Sequence, residues 1–264
     1  MSKRASAFSL VELSIVLVIL GLLTGGILAG QSLIRAAELR SVSTEYNRYF
    51  TAVQSFRDKY FATPGDFNGA TRFWGRLNSN ADCATASSAA VATPGACDGN
   101  GDGNVTAPAA ASQSGETYQF WRQLALAGLI EGTYNGLSGS GGNEHSVLGS
   151  NAPASKLSNA GWSITYTGLF GDTELYLLNY GPYTFEFGTA VATSRTFGPA
   201  LKPEEAWNVD TKVDDGKPAS GKVIARYWNN LCSAADDGSH ANNDLVASYR
   251  LSDNALRCAL YFRP

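Results

Sequence analysis

The sequence predicts an α+β protein in which one long N-terminal helix leads and strands follow in the second half of the chain. Three observations carry this. An uncharged run of 22 residues, Leu13 to Ile34, passes without a proline into an amphipathic stretch that ends near Phe61. Segments rich in aromatic and β-branched residues, bounded by Gly and Pro, recur after residue 160. Glycine supplies 28 of the 264 residues, which points to a loop-rich, β-containing exterior part.

The uncharged run comes first. At about 1.5 Å per residue it is long enough to cross a bilayer core of roughly 30 Å as a helix. Before it stands a short polar stretch, Met1 to Ala7, whose only charges are Lys3 and Arg4. At its mouth sits Glu12, and an ionised carboxylate is expensive beside hydrocarbon. Either Glu12 simply marks the membrane edge, or it meets a cation there, such as a new N-terminus made by cutting between Ala7 and Phe8. Gly21 with Gly25 and Gly26 with Gly30 are each four apart, a spacing that lets membrane helices approach closely. The same glycines make this the place where the helix would unwind most easily.

Past Arg35 the pattern becomes amphipathic. Leu39, Val42, Tyr46, Tyr49, Val53, Phe56 and Tyr60 alternate spacings of three and four, forming one apolar stripe. Arg40, Glu45, Arg48, Arg57, Asp58 and Lys59 take other positions. The stop is expected at Thr63-Pro64-Gly65, since proline disfavours helix in the residue before it. Phe8 to Phe61 then forms a helix about 80 Å long, half apolar all round and half a spine with a single apolar face.

With these residues on the page, Ala-Phe-Ser-Leu-Val-Glu and the apolar run after it resemble the N-terminal segment of type IV pilins and type II secretion pseudopilins. The resemblance implies a leader at 1–7 removed by prepilin peptidase, N-methylation of Phe8, a transmembrane and assembly helix at 8–34, and an exported globular domain at 35–264 whose spine is 35–61. It assigns Glu12 to assembly. The implied partners are prepilin peptidase, other pilin or pseudopilin subunits and an inner-membrane assembly platform. The implied place is a single pass through a bacterial inner membrane with the C-terminus outside, followed by a periplasmic or cell-surface filament. One departure is Ala7, where the family usually has Gly. A secretory signal cut near Gly30 or Ser32 is the rival. Against it stand a run longer than a signal core, the charge of Glu12 and a helical pattern that continues past the supposed cut.

Composition fits a folded exported domain. Apolar residues make up 44% and charged residues 16%, and removing the leader would take the net charge from −3 to −5. Nothing basic enough for a nucleic-acid footprint is present. Cys83, Cys97, Cys232 and Cys258 contain no CxxC pair, so zinc or redox chemistry is weakly supported and disulfides are the default for an exported chain. The most local of three connectivities is Cys83–Cys97 with Cys232–Cys258; buried free thiols are the alternative. The second pair resembles the C-terminal disulfide loop of many pilins.

Residues 78–115 read as a long surface loop. Within it Asp98, Asn100 and Asp102, then Gly103 and Asn104, match the front half of an EF-hand loop, so calcium is a candidate ligand. Position 12 is Ala109, which cannot supply the usual bidentate carboxylate, and a plain turn is the alternative. The family resemblance adds that some pseudopilins bind calcium. A second helix is expected over Glu116–Ile130, with Ser114 as its cap and Gly132 as its stop. A Gly- and Ser-rich loop over 136–158 carries His145.

Strands are expected at Trp162–Tyr166, Glu174–Leu178, Thr184–Phe187, Val223–Trp228 and Leu256–Phe262, with a short helix beginning at Pro203. By resemblance the strands form an antiparallel sheet packed on the spine. Asp210, Asp214 and Asp215 read either as a second cation site or as an acidic turn held by backbone hydrogen bonds. No GxSxG, HExxH or P-loop occurs, and His145 and His240 lie in polar loops, so an enzyme is not indicated. Two readings remain at this point: a structural filament subunit, or a membrane-anchored, calcium-binding adhesion module that never assembles.

Overall fold

The computed structural model describes residues 10–77, 95–166, 181–226, 231–234 and 246–264. Helix α1 runs unbroken from Leu10 to Tyr60, 51 residues. It passes through Gly21, Gly25, Gly26 and Gly30 without unwinding, and a Cβ at any of them would meet nothing within 4 Å. The helix ends slightly earlier than the proline predicts. Phe61 turns into the left-handed region (φ 53°), its N–H still reaching the Arg57 carbonyl at 2.8 Å.

Only the second half of α1 meets the rest of the protein. From Val42 onward Val42, Tyr46, Tyr49, Val53 and Phe56 are buried, with Leu39 and Tyr60 packed at the margins, so the predicted stripe is the core face. Against it lies a four-stranded antiparallel sheet built from β1 (Ala160–Thr165), β2 (Thr184–Thr189), β3 (Val223–Ala225) and β6 (Leu260–Phe262), in the order β1-β2-β6-β3. The register aligns Trp162 with Phe187, Ile164 with Phe185, Phe185 with Phe262 and Val223 with Phe262. Because side chains alternate along a strand, these residues share one face, and they join the same core cluster as the α1 stripe. Tyr46 stacks on Phe262 with ring centroids 4.7 Å apart, and Tyr49 meets Trp162 edge-on at 5.7 Å. Each such side chain is worth about 1.5–3 kcal/mol of burial, so this seam is the main cohesive element. The expected strand at Glu174–Leu178 lies outside the described residues, as does the end of Val223–Trp228.

Helix α2 is one short turn, Ala70–Trp74, and α3 runs from Glu116 to Leu126. Two expectations for α3 are corrected. Its N-cap is Gly115, because the Ser114 hydroxyl instead donates to the Gly136 carbonyl at 2.9 Å. Its stop is Gly128 (φ 72°): Gly128 donates to the Ala125 carbonyl and Leu129 to the Leu124 carbonyl, a Schellman closure four residues before Gly132.

Residues 100–103 are exposed, as a surface loop predicts, but 95–97 on one side and Val105 on the other are buried. Ala96, Cys97 and Val105 are fully buried, and polar side chains of α3 satisfy this backbone. Gln119 accepts from the Cys97 N–H, Gln123 donates to the Cys97 carbonyl, and Arg122 donates to the carbonyls of Gly95 and Tyr134. Ala96 also forms an isolated parallel bridge with Arg76, donating to the Gly75 carbonyl and accepting from the Leu77 N–H, and the α3 side chains take backbone groups this bridge leaves over, which is why α3 is polar yet buried.

Helix α4 runs from Pro203 to Val213, farther than the short helix expected. Pro203 at its first position and Glu204 and Glu205 in its first turn suit a helix N-terminus. Beside it, β4 (Ser233–Ala234) pairs with β5 (Ser248–Tyr249). A disulfide joins Cys232 to Cys258, as the local pairing predicts. Cys97 is also disulfide-bonded, while Cys83, its expected partner, lies outside the described residues.

The N-terminal assembly segment and the carboxylate sites

Ala7 and Phe8 lie outside the described residues. Glu12 sits in the first turn of α1, where a carboxylate faces the positive end of the helix dipole. Beyond it Leu13, Ile15, Val16, Leu17, Val18 and Ile19 each expose half or more of their surface, and the exposed apolar run continues to Ile34. Among the described residues α1 is the one helix long and apolar enough to cross a membrane. The polar side chains within that half turn inward on their own helix. Ser14 donates to the Val11 carbonyl at 2.9 Å, Thr24 to Leu20 at 2.9 Å and Ser32 to Ala29 at 2.8 Å. In hydrocarbon an unsatisfied hydroxyl would cost several kcal/mol, and none of these three presents one.

Arg35 closes the apolar half. Its Nε and Nη2 grip both oxygens of Glu205 at 2.7 and 2.6 Å, and Nη2 also donates to the Ala200 carbonyl at 3.4 Å. This fork fixes the first turn of α4 to the point where α1 leaves its apolar stretch. The sequence marks Arg35 as the end of the run but does not reveal its partner, 170 residues away.

The four residues expected to bind calcium are all engaged in hydrogen bonds. Both oxygens of Asp98 are taken by Thr71, from its N–H and its hydroxyl, each at 2.8 Å. Asn100 and Asp102 bond to each other, and Asp102 accepts from the Asn104 N–H. Two carboxylates the sequence reading missed also bind the loop. Asp66 accepts from the N–H groups of Gly101 and Gly103 at 2.6 and 2.9 Å. Glu116 accepts from the Asn100 N–H with one oxygen and from the Thr106 N–H and hydroxyl with the other. Burial raises both carboxyls above their ordinary range, although these donors pull them back down. The signal for Asp66 was present in Pro64-Gly65-Asp66, a turn sequence whose aspartate can reach nearby backbone.

Asp210, Asp214 and Asp215 bring carboxylate oxygens within 4.8 Å of one another. Each is engaged locally: Asp210 by Gly216 N–H and the Tyr249 hydroxyl, Asp214 by Lys222 N–H, Asp215 by Lys217 N–H and the Ser220 hydroxyl. Burial pushes the Asp210 carboxyl up to about 7, against the opposing pull of Tyr249 and Gly216.

Glu144 and Glu186 converge, but on the guanidinium of Arg195 between them, the Glu186 contact being 2.8 Å. Beside them a cavity of about 170 Å³ is lined by Tyr118, Trp121, Ser146, Ile164 and Arg195. His145 is half-buried and accepts the Gly141 N–H at 3.0 Å, a structural bond within its loop. His240 lies outside the described residues.

The prokaryotic N-terminal methylation motif matches residues 2–28, so this chain carries a type IV pilin-like prepilin segment. No curated protein and no solved structure matches the chain. The motif takes in Ala7, Phe8 and Glu12 and most of the exposed apolar run of α1. It points to a structural, non-enzymatic subunit processed by prepilin peptidase and assembled with other pilins.

Proposed function

We propose that this chain is a minor pilin or pseudopilin: a building block of a type IV pilus or type II secretion filament, cut after Ala7, methylated on Phe8 and held in the inner membrane until it is extracted into the filament. The observation that carries the reading is a prepilin motif continuous with a helix half that the globular domain leaves bare from Leu10 to Ile34. A surface that apolar needs either lipid or other helices of its kind around it. In the filament, Glu12 of one subunit pairs with the methylated ammonium of Phe8 on a neighbour. Two charges costly in an apolar core are thereby cancelled, and axial register is set.

The bulky domain favours a minor or tip position. The test is intact mass and N-terminal sequencing of the protein recovered from its host's membranes. A start at Phe8 carrying one added methyl group is expected. A start at Met1, or one near Leu33, would remove the basis for the reading.

A further inference from the structure

We infer that the cavity beside Arg195 is a binding site for a small uncharged molecule with an apolar, ring-sized body and a carbonyl or hydroxyl oxygen. The cavity lies where α3 meets the end of β1, between Thr117, Tyr118 and Trp121 on the helix and Ser163, Ile164 and Thr165 on the strand. Its volume of about 170 Å³ suits a single ring, since an apolar cavity of about 150 Å³ stays dry and takes up benzene. Ala107 also lines it and is exposed, so the opening to solvent is on that side.

The walls decide the chemistry of the ligand. Trp121, Tyr118, Ile164 and Ala152 supply apolar and aromatic surface for a ring or a branched carbon body. Several polar groups are already engaged: the Ser163 hydroxyl donates to Glu186 at 2.8 Å and the Thr106 hydroxyl to Glu116 at 2.7 Å. Two are not. Arg195 gives Nε to Glu186 and Nη1 to Glu144, and its Nη2 makes no hydrogen bond among the described residues. The Thr117 hydroxyl is buried without a partner. Unpaired polar groups in such a site favour a ligand oxygen that can bond them. The charged residues of the wall are Arg195 and Glu144, and they hold each other, with Glu186 also on the guanidinium. Neither is left over to neutralise an ion, so a charged ligand would lose its hydration without compensation.

The test uses the full chain in detergent, with benzamide and benzoate as probes, two molecules of nearly one shape that differ in charge. Titration calorimetry and melting temperature are the readouts. Benzamide is expected to bind in the millimolar range or tighter and to raise the melting temperature, with benzoate weaker by about tenfold or more. Ala107→Phe puts a ring at the opening, on an exposed position that tolerates it. That variant is expected to melt like wild type and to lose benzamide binding. No benzamide binding at millimolar concentration would overturn the proposal, as would equal binding by wild type and Ala107→Phe. Benzoate binding as tightly as benzamide would overturn the assignment of an uncharged ligand. None of these outcomes depends on whether the chain assembles into a filament.

Discussion

The Glu45 carboxylate accepts the indole N–H of Trp162 at 2.8 Å with one oxygen and the backbone N–H of Lys156 at 2.9 Å with the other. It is 6% exposed, inside the seam between α1 and β1, although by sequence it is one of the charges off the apolar stripe. Removing it leaves the buried Trp162 N–H without an acceptor, at about 1–3 kcal/mol, while the Lys156 N–H belongs to an exposed residue that water can reach. We predict that Glu45→Ala destabilises the domain by about 2 kcal/mol in denaturant melts. Glu45→Gln, which keeps one acceptor, should lose less.

The Arg35–Glu205 fork should behave differently, because Arg35 remains one-third exposed. A partly screened pair contributes on the order of 1 kcal/mol. Arg35→Lys cannot reproduce the two parallel bonds and should lose most of that. A double-mutant cycle with Glu205→Gln measures the coupling. A coupling energy indistinguishable from zero would show that the fork does not tie α4 to α1.

Asp210 gives the protein a pH dependence of definite sign. Its folded carboxyl titrates near 7, against about 4 in the unfolded chain, so the folded state holds its proton more tightly. Its contribution to stability is therefore complete below about pH 4 and is lost as pH rises through 7, a change of roughly 4 kcal/mol. We predict that wild type loses stability between pH 5 and 7.5 relative to Asp210→Asn, which cannot titrate there. Melting curves for both proteins across this range settle it. Parallel curves would mean that Asp210 is ionised throughout.

Glu12→Ala separates membrane insertion from assembly. Removing a carboxylate from the mouth of an apolar run should not impair insertion and should slightly favour it. Without the carboxylate, a neighbour's Phe8 ammonium would be left unpaired in the filament. The expected result is normal membrane fractionation with a loss of signal, about tenfold or more, from sheared filaments. Wild-type incorporation of the variant would contradict the pairing.

The parts of this protein that were legible in the sequence depend on local pattern. The length of α1, its change from bare to one-faced near Arg35, the strands at Trp162 and Thr184 and the start of α4 at Pro203 all follow from periodicity or punctuation. Side-chain geometry repeats every 3.6 residues in a helix and every two in a strand, so a single chain encodes these elements without reference to its neighbours. The Cys232–Cys258 bridge was the most local option.

Whatever depended on distant partners was not legible. The segment after residue 94 looked like loop because its backbone bonds are divided between one isolated bridge to Arg76 and the side chains of Gln119, Arg122 and Gln123. The aspartate spacing of 98–104 suggested a cation shell, but it held no sign that Asp98 binds Thr71 or that Asp66 and Glu116 bind the loop's N–H groups. The sequence by itself determined a prepilin segment, a two-part helix and an α+β domain, because each rests on contiguous residues. Only the tertiary structure decided that Glu45 is buried and that Arg35 binds Glu205. A side chain's partner across more than a hundred residues is chosen by how the elements pack, and local pattern holds no record of that choice.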